Sequence, residues 1–387
     1  MRLVRVQIPE FRALKNVDIT FEPDFYPQVF PLGSLNGGGK STLLQLIFVL
    51  LNIEPSLSSA SYLTDSHFKN LLLDLIDKSI KAEELRSLAT ITLSHKDKEL
   101  TLYYFYGDFD STTSGYHQTY LREIQEGNFY PYFSYKENDK TRFKVLADNE
   151  SNTQQLDHEA FHTLLSDIKK YIFLISPSNQ SYIFATQEER RLPYMSDGEK
   201  NHNQTLKRLK DSFPNFFTYD FIDVLTEIFR LARDKDYNER LKTGVYGTHS
   251  EQLEKSINNL FIDGKKITPL TIDQKRHTKD SIQSMGFKLP SGEEIYPEDL
   301  SHGELKRLTI FILFQYYEIQ DAIILMDEIE NAFHPDWQRH IVDDLLAWGP
   351  SNQYILATHS YELCRGVTPA HVKEIYPKLP FEPEQQL

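Results

Sequence analysis

The nine residues Ser34 to Thr42 read Ser-Leu-Asn-Gly-Gly-Gly-Lys-Ser-Thr and constrain this 387-residue chain more than any other segment. They sit between a short apolar run, Gln28 to Leu32, and an apolar stretch predicted as a helix from about Ser41 to Asn52. A strand, a glycine-rich turn and a helix in that order make a phosphate cradle. Glycines let successive backbone N–H groups turn inward, and the helix adds the positive end of its dipole. The phosphate-loop pattern asks for Gly, four residues, then Gly-Lys-Ser/Thr. Gly39, Lys40 and Ser41 meet it, whereas Ser34 stands where the first glycine belongs and Gly33 comes one residue early. Asn36, Gly37, Gly38 and Thr42 complete the candidate cradle. Lys40 is placed to reach β- and γ-phosphates and the Ser41 hydroxyl to ligate Mg²⁺. Pro31 is discordant, because the interior of a sheet disfavours proline.

Other segments set the architecture. Val4, Val6 and Ile8 alternate with polar residues, as do Val17, Ile19 and Phe21, which predicts two strands ahead of the loop. Residues 53 to 90 read as a polar loop and then an amphipathic helix. Ala89 to Leu93 and Leu100 to Tyr106 read as strands, Gly107 onward to 118 as a loop, and Tyr171 to Ile175 as a short strand closed by Ser176 and Pro177. Residues 200 to 260 look mostly helical, and Gly264 to Gly292 mixed and partly basic. From Leu300 the pattern is helix, strand, helix, strand, helix. Three regions are expected: 1–175 with the phosphate loop and a β subdomain, 176–294 as a mainly helical insertion, and 295–387. Residues 378 to 387 read as a loose tail.

Composition narrows the function classes. Forty-two Lys and Arg against 56 Asp and Glu leave a net charge of −14, so the chain as a whole is no electrostatic glove for nucleic acid. Lys207, Arg208, Lys210, Lys265, Lys266, Lys275, Arg276 and Lys279 are candidates for local DNA contact, against the plainer reading of a solvated face. A single cysteine, Cys364, excludes an internal disulfide framework and fits a reducing compartment. The most apolar stretch, Leu43 to Leu51 with Gln45 inside it, is too short for a membrane span, and the alternating N-terminus lacks the apolar block of a signal peptide. A cytoplasmic protein without membrane attachment is expected.

Three further features bear on chemistry. Ala322 to Met326 is an apolar run of the kind a buried parallel strand shows, and it ends in Asp327 and Glu328. Ligands collect at the carboxyl ends of such strands, which makes Asp327 a candidate for the Mg²⁺ shell and Glu328 a candidate to polarise an attacking water. Glu330 reads as structural. A second run, Tyr354 to Thr358, ends at His359, which is placed to donate to a γ-phosphate or orient water. Leu-Ser-His-Gly-Glu at 300–304 opens a helix; Ser301 and Glu304 have capping-box spacing, and Ser301 with the Gly303 N–H also suits a phosphate contact. The same spacing at Ser196 to Glu199 reads as an ordinary helix cap.

Taken together, the four elements resemble an ABC-type ATPase head. The glycine-rich loop is similar to Walker A, residues 300–304 to the ABC signature, Ile323 to Glu328 to Walker B with its catalytic glutamate, and His359 to the switch histidine. The opening Phe11 to Ile19 resembles the start of SMC, RecF and OLD heads, whose basic residue near the nucleotide corresponds to Arg12. The stretch Asp327 to Gln338, Asp-Glu-Ile-Glu-Asn-Ala-Phe-His-Pro-Asp-Trp-Gln, resembles OLD-like ATPases of prokaryotic antiviral systems, including the Septu ATPase subunit also found with some retrons. Three departures stand out: Ser34 for glycine, His302 for the first signature glycine and Ile329 for proline; Gln180 is the Q-loop candidate. The residues after His359 are too few for the Toprim nuclease domain of OLD nucleases, so a nuclease or other effector is expected on a separate chain.

The resemblance implies an α/β fold, a P-loop ABC head with an antiparallel β lobe and an inserted mainly helical region. It implies ATP and Mg²⁺ as cofactors and a homodimer or higher oligomer formed by sandwiching ATP. ATP binding then favours a closed state and hydrolysis releases it. The role implied is a sensor or regulatory subunit of an antiphage complex, with nucleic acid as a further partner. The alternatives are a RecF- or SMC-like DNA-repair ATPase and an adaptor that holds ATP without turnover.

Overall fold

A computed structural model of the chain describes residues 1–34, 37–53, 86–95, 98–107, 130–137, 140–148, 167–178, 213–219, 225–261, 263–269 and 285–375. In chain order the elements begin with β1 (Arg2–Phe11), β2 (Leu14–Thr20), β3 (Val29–Gly33) and α1 (Lys40–Leu51). Then come β4 (Arg86–His95), β5 (Lys98–Tyr106), β6 (Tyr130–Glu137), β7 (Lys140–Asp148), β8 (Ile172–Ser176) and β9 (Phe216–Thr218). Helices α2 (Leu225–Thr243) and α3 (His249–Asn258) precede β10 (Lys266–Pro269), β11 (Met285–Lys288) and β12 (Glu294–Ile295). The chain continues with α4 (His302–Tyr317), β13 (Ile323–Asp327), α5 (Pro335–Trp348), β14 (Gln353–Ala357), α6 (Tyr361–Cys364) and β15 (Lys373–Glu374). Two compact units result, one of Met1–Phe217, Asp321–Ile329 and Ser351–Leu387, the other of Thr218–Gln320 and Glu330–Pro350.

The first unit is built on two sheets. One is antiparallel, in the order β2-β1-β4-β5-β7-β6. In it Val6 pairs with Ile19 and Ile8 with Val17, so the alternation seen in the sequence puts one apolar face inward. The other has the order β15-β3-β14-β13-β8-β9, with β15, β3, β14, β13 and β8 parallel. Every residue of β8, β13 and β14 is buried, as expected of a sheet covered on both faces.

Helix α1 packs on the parallel sheet against β8, β13 and β14. On the other side the Tyr104 hydroxyl of β5 donates to the Leu50 carbonyl in the last turn of the helix at 3.1 Å. Buried between two sheets, α1 has no use for a polar face, which is why Leu43 to Leu51 reads as a nearly continuous apolar run. The sheets are also spliced directly. The fully buried Gln353 accepts from the Leu3 N–H at 2.7 Å and donates to the Leu3 carbonyl at 3.0 Å, joining β14 to β1.

Pro31 fits because of strand polarity. Just before β3 the Gln28 carbonyl accepts from Tyr354 of β14, while the Gly33 carbonyl at the end of β3 accepts from Ile375 on the opposite side. Backbone polar groups alternate in direction along a strand, so the Pro31 nitrogen points away from β14. It points toward β15, which pairs only with Leu32 and Gly33. The sheet therefore loses no hydrogen bond to the missing N–H.

Residues 200 to 260 are not wholly helical: Phe216 to Thr218 form β9 at the end of the parallel sheet. The Asn215 carbonyl accepts from the Leu174 N–H, and its side chain donates to the Lys169 and Ile172 carbonyls. Three residues are too few to show a periodic signal. The helical stretch expected near 60–86, the loop after Gly107, Gln180, Ser196 and the tail lie outside the described residues.

The second unit has its own core, centred on Ile257, Phe287, Leu308 and Ile312, with Phe261 edge-on to Phe287. Helices α4 and α5 are joined by a two-pronged ion pair from Arg307 to Asp344 at 2.8 and 2.9 Å. Asp236 of α2 is buried and caps α3 by accepting from the His249 and Ser250 backbone and side chains. Burial pushes its pKa up, but hydrogen bonds from Ser250 and His249 outweigh that and hold it at about 2. Gly303 is buried at the start of α4, where a Cβ would lie 2.6 Å from the Ala332 carbonyl oxygen and 3.1 Å from the Trp337 ring. Its substitution is a small-to-large change in a closed space. Gly303→Ala is expected to destabilise the fold by about 1–3 kcal/mol, read as a lowered thermal or urea midpoint. An unchanged midpoint would show that the helix start relaxes without cost.

Candidate nucleotide site

All parallel strands of the first unit end at one edge, and that edge collects the residues singled out in the sequence. β3 delivers Ser34, β8 ends at Ser176, β13 at Asp327 and Glu328, and β14 leads through Thr358 to His359. Paired registers fix these ends at one level, since Leu356 lies opposite Pro31 and Asp327 opposite Ala357.

The loop itself is shaped by glycine where the backbone demands it. Gly37 and Gly39 have φ of 78° and 91°, in the left-handed region that side chains disfavour. A Cβ on Gly39 would also sit 2.6 Å from Leu14 Cδ2. Ser34 is absent from the left-handed residues, so the first position of this loop needs no glycine. Gly38 is buried and Thr42 half-buried. Asn36 lies outside the described residues.

Lys40 opens α1 and is only 6 % exposed. Its Nζ donates to the Ser34 carbonyl and hydroxyl oxygens, each at 3.1 Å, and faces His359 Nδ1 at 3.4 Å. An ammonium cannot accept, so Nδ1 can only be the acceptor in this contact. One residue on, the Ser41 hydroxyl donates to Asp327 Oδ1 at 3.0 Å. The expected Mg²⁺ ligands are thus in direct contact, although 286 positions separate them.

The set suits a hydrated Mg²⁺, which takes one or two carboxylates, phosphate oxygens and several waters. Two buried side chains beside it carry polar atoms with no hydrogen-bond partner among the described residues: the Ser176 hydroxyl and both amide atoms of Gln45. Ile175 pairs with Met326, so the next residue, Ser176, comes beside Asp327 with its side chain on the same face of the sheet. Gln45 lies one turn beyond Ser41 on the same face of α1. Neither was singled out as a site residue. Both had a sequence signal, Gln45 as the polar break in an apolar helix and Ser176 as the closing residue of a strand.

Glu328 is half-buried and has φ of 48°, a left-handed conformation for a non-glycine residue directly after the strand. Its N–H donates to the Ala357 carbonyl at 2.9 Å, which anchors it to β14. Such backbone strain concentrates where geometry matters to function. Ile329, in place of proline, is fully buried, and Glu330 is buried as well. After β14, Thr358 Oγ1 accepts from the Ser360 N–H and Ser360 caps α6, so His359 projects from a braced turn and is exposed.

Arg12 occupies the β1–β2 turn with φ of 53°, its guanidinium 5.3 Å from the Phe11 ring centre. The same turn abuts the phosphate loop, because Ala13 and Leu14 are the side chains that crowd Gly39.

In the second unit, Ser301 caps α4. Its Oγ accepts from the Glu304 N–H at 3.4 Å and donates to Glu304 Oε2 at 2.8 Å, and its own N–H donates to Glu304 Oε2 at 3.1 Å. The capping-box reading is realised, and Ser301 and His302 remain exposed. Lys265 donates to Glu304 at 2.7 Å and also pairs with Asp263, so this candidate for DNA contact has a structural use. Lys266 is exposed. Lys207, Arg208, Lys210, Lys275, Arg276 and Lys279 lie outside the described residues. Among the described residues no helix is long and apolar enough to cross a membrane.

Solved structures and one family model are similar to this chain. The SMC head bound to the C-winged helix domain of ScpA matches at 14 % identity over 97 % of this chain and 98 % of that one, with a TM-score of 0.44. The SMC head of Thermotoga maritima matches at 12 % identity over 95 % and 92 %, TM-score 0.40. The recombination mediator RecF matches at 12 % identity over 94 % of both chains, TM-score 0.36. No curated protein matches the chain. The AAA ATPase domain family matches residues 1–364, nearly the whole sequence, and the chain, with its P-loop, parallel sheet and acidic strand end, belongs to that family.

Proposed function

We propose that this ATPase-family chain binds and hydrolyses MgATP in the first unit. The observation that carries the reading is the Ser41–Asp327 contact beside the buried Lys40, which brings Walker A and Walker B together. Lys40 and the N–H groups of the glycine loop hold the phosphates, with Ser41 and Asp327 holding the metal. Mg²⁺ when bound neutralises phosphate charge. Glu328 accepts a proton from the attacking water, and the exposed His359, one strand over, orients the γ-phosphate end. Arg12 lies on the turn against the loop and adds a positive charge there.

The finer reading follows the ABC plan. Ser301 and Gly303 of one copy face the ATP of another, so closure of a homodimer or higher oligomer is linked to the nucleotide. The Asp327–Gln338 stretch favours a regulatory or sensor subunit of an antiphage system with its nuclease or effector on a separate chain. A RecF- or SMC-like role in DNA repair is the second reading. Supporting it is the opening Phe11 to Ile19 pattern, realised as the turn and strand that abut the phosphate loop. A non-hydrolysing adaptor is the third, and the retained Glu328 speaks against it.

Lys40→Ala is expected to abolish nucleotide binding in calorimetric titration. Glu328→Gln is expected to bind ATP while turnover drops about a hundred- to ten-thousand-fold; unchanged turnover would remove Glu328 as the base. Ser301→Arg is expected to leave nucleotide binding by a single copy intact and to block sandwich closure, so that the ATPase rate per copy no longer rises with protein concentration. A wild-type rate at high concentration would take Ser301 out of the site.

A further inference from the structure

Ser34 is the one position where the phosphate loop departs from its pattern, and its side chain makes a specific contact. A lysine ammonium has three donors. Two of those on Lys40 fall on Ser34, one on its carbonyl oxygen and one on its hydroxyl oxygen, both at 3.1 Å, and the third faces His359 Nδ1 at 3.4 Å. Lys40 is 6 % exposed, so the Ser34 contacts lie in a site largely closed to bulk water. A glycine at position 34 would offer the same carbonyl and no hydroxyl. Since Ser34 is not in the left-handed region, nothing in the backbone calls for glycine there.

We propose that Ser34 is a positioning residue that competes with nucleotide phosphate for Lys40. The proposal rests on the reading of this edge as a nucleotide site. Without nucleotide, the hydroxyl accepts from Lys40 and helps hold the ammonium in place. With nucleotide, Lys40 keeps the Ser34 carbonyl and turns its other donors to β- and γ-phosphate oxygens, so the hydroxyl loses its cation. A hydrogen bond lost on binding opposes binding. Ser34 therefore sets a higher threshold concentration for nucleotides whose phosphates reach Lys40. It is indifferent to a nucleotide that ends at the α-phosphate.

The test is calorimetric titration of the full chain with MgATP and with AMP, together with thermal melting of the ligand-free protein. Ser34→Ala is expected to bind MgATP about two- to tenfold more tightly, the size of one ordinary hydrogen bond. AMP affinity is expected to stay unchanged and the ligand-free melting temperature to fall. Ser34→Thr, which keeps the hydroxyl, is expected to behave as wild type. In a Lys40→Met background, Ser34→Ala is expected to leave the melting temperature where it was, which a merely structural serine would not do. Equal MgATP affinity in wild type and Ser34→Ala overturns the proposal, and weaker binding by Ser34→Ala overturns it in favour of a direct phosphate contact. A wild-type protein that binds no MgATP overturns the nucleotide reading itself and this proposal with it.

Discussion

Burial of α1 on all sides is the constraint from which the site follows. The helix is held between the parallel sheet and the antiparallel sheet, and its long axis has no freedom to tilt without opening one of two apolar contacts. Burial of an aliphatic side chain is worth roughly 1.5–3 kcal/mol, and Leu43, Leu44, Ile47, Phe48, Val49, Leu50 and Leu51 are all buried. The first residues of such a helix are placed as firmly as its core. That is how Lys40 and Ser41 come to lie against the ends of β13 and β14 with contacts of 3.0 to 3.4 Å. Gln353 does the same for the strands, splicing β1 to β14 through a buried amide.

Around this rigid frame the structure accepts local cost. Lys40 is a buried cation, Ser176 and Gln45 carry buried polar atoms without partners among the described residues, and Glu328 has a left-handed backbone. Each of these lowers stability by itself. All four lie at or beside the carboxyl edge of one sheet, the edge proposed to hold nucleotide and metal. A core chosen for stability alone would have placed apolar residues at 45 and 176.

Much of this could be read from the chain. The alternation at Val4–Ile8 and Val17–Phe21, the apolar strands ending in Asp327 and His359, and the glycine-rich loop each follow from a local rule. Ser301 was legible as a helix cap, and the capping bonds are present. What stayed hidden depends on contacts between distant segments. Pro31 looked misplaced until its nitrogen was seen to face the side where β15 pairs only beyond it. Gly303 reads as a signature glycine, yet its need for glycine comes from the Ala332 carbonyl and the Trp337 ring. β9 was missed because three residues carry no period, and Ser176 because its neighbour Asp327 is reached only through sheet register.

On the proposed reading Lys40, Ser41, Asp327 and Glu328 let one copy hold MgATP, and Ser301 of a second copy completes the site. Light scattering of Glu328→Gln, with and without MgATP, tests that division of labour most directly. About a doubling of mass, or a larger step if the assembly is of higher order, is expected on adding MgATP and is expected to vanish with Lys40→Ala. A mass that stays constant while MgATP is demonstrably bound would contradict nucleotide-driven closure.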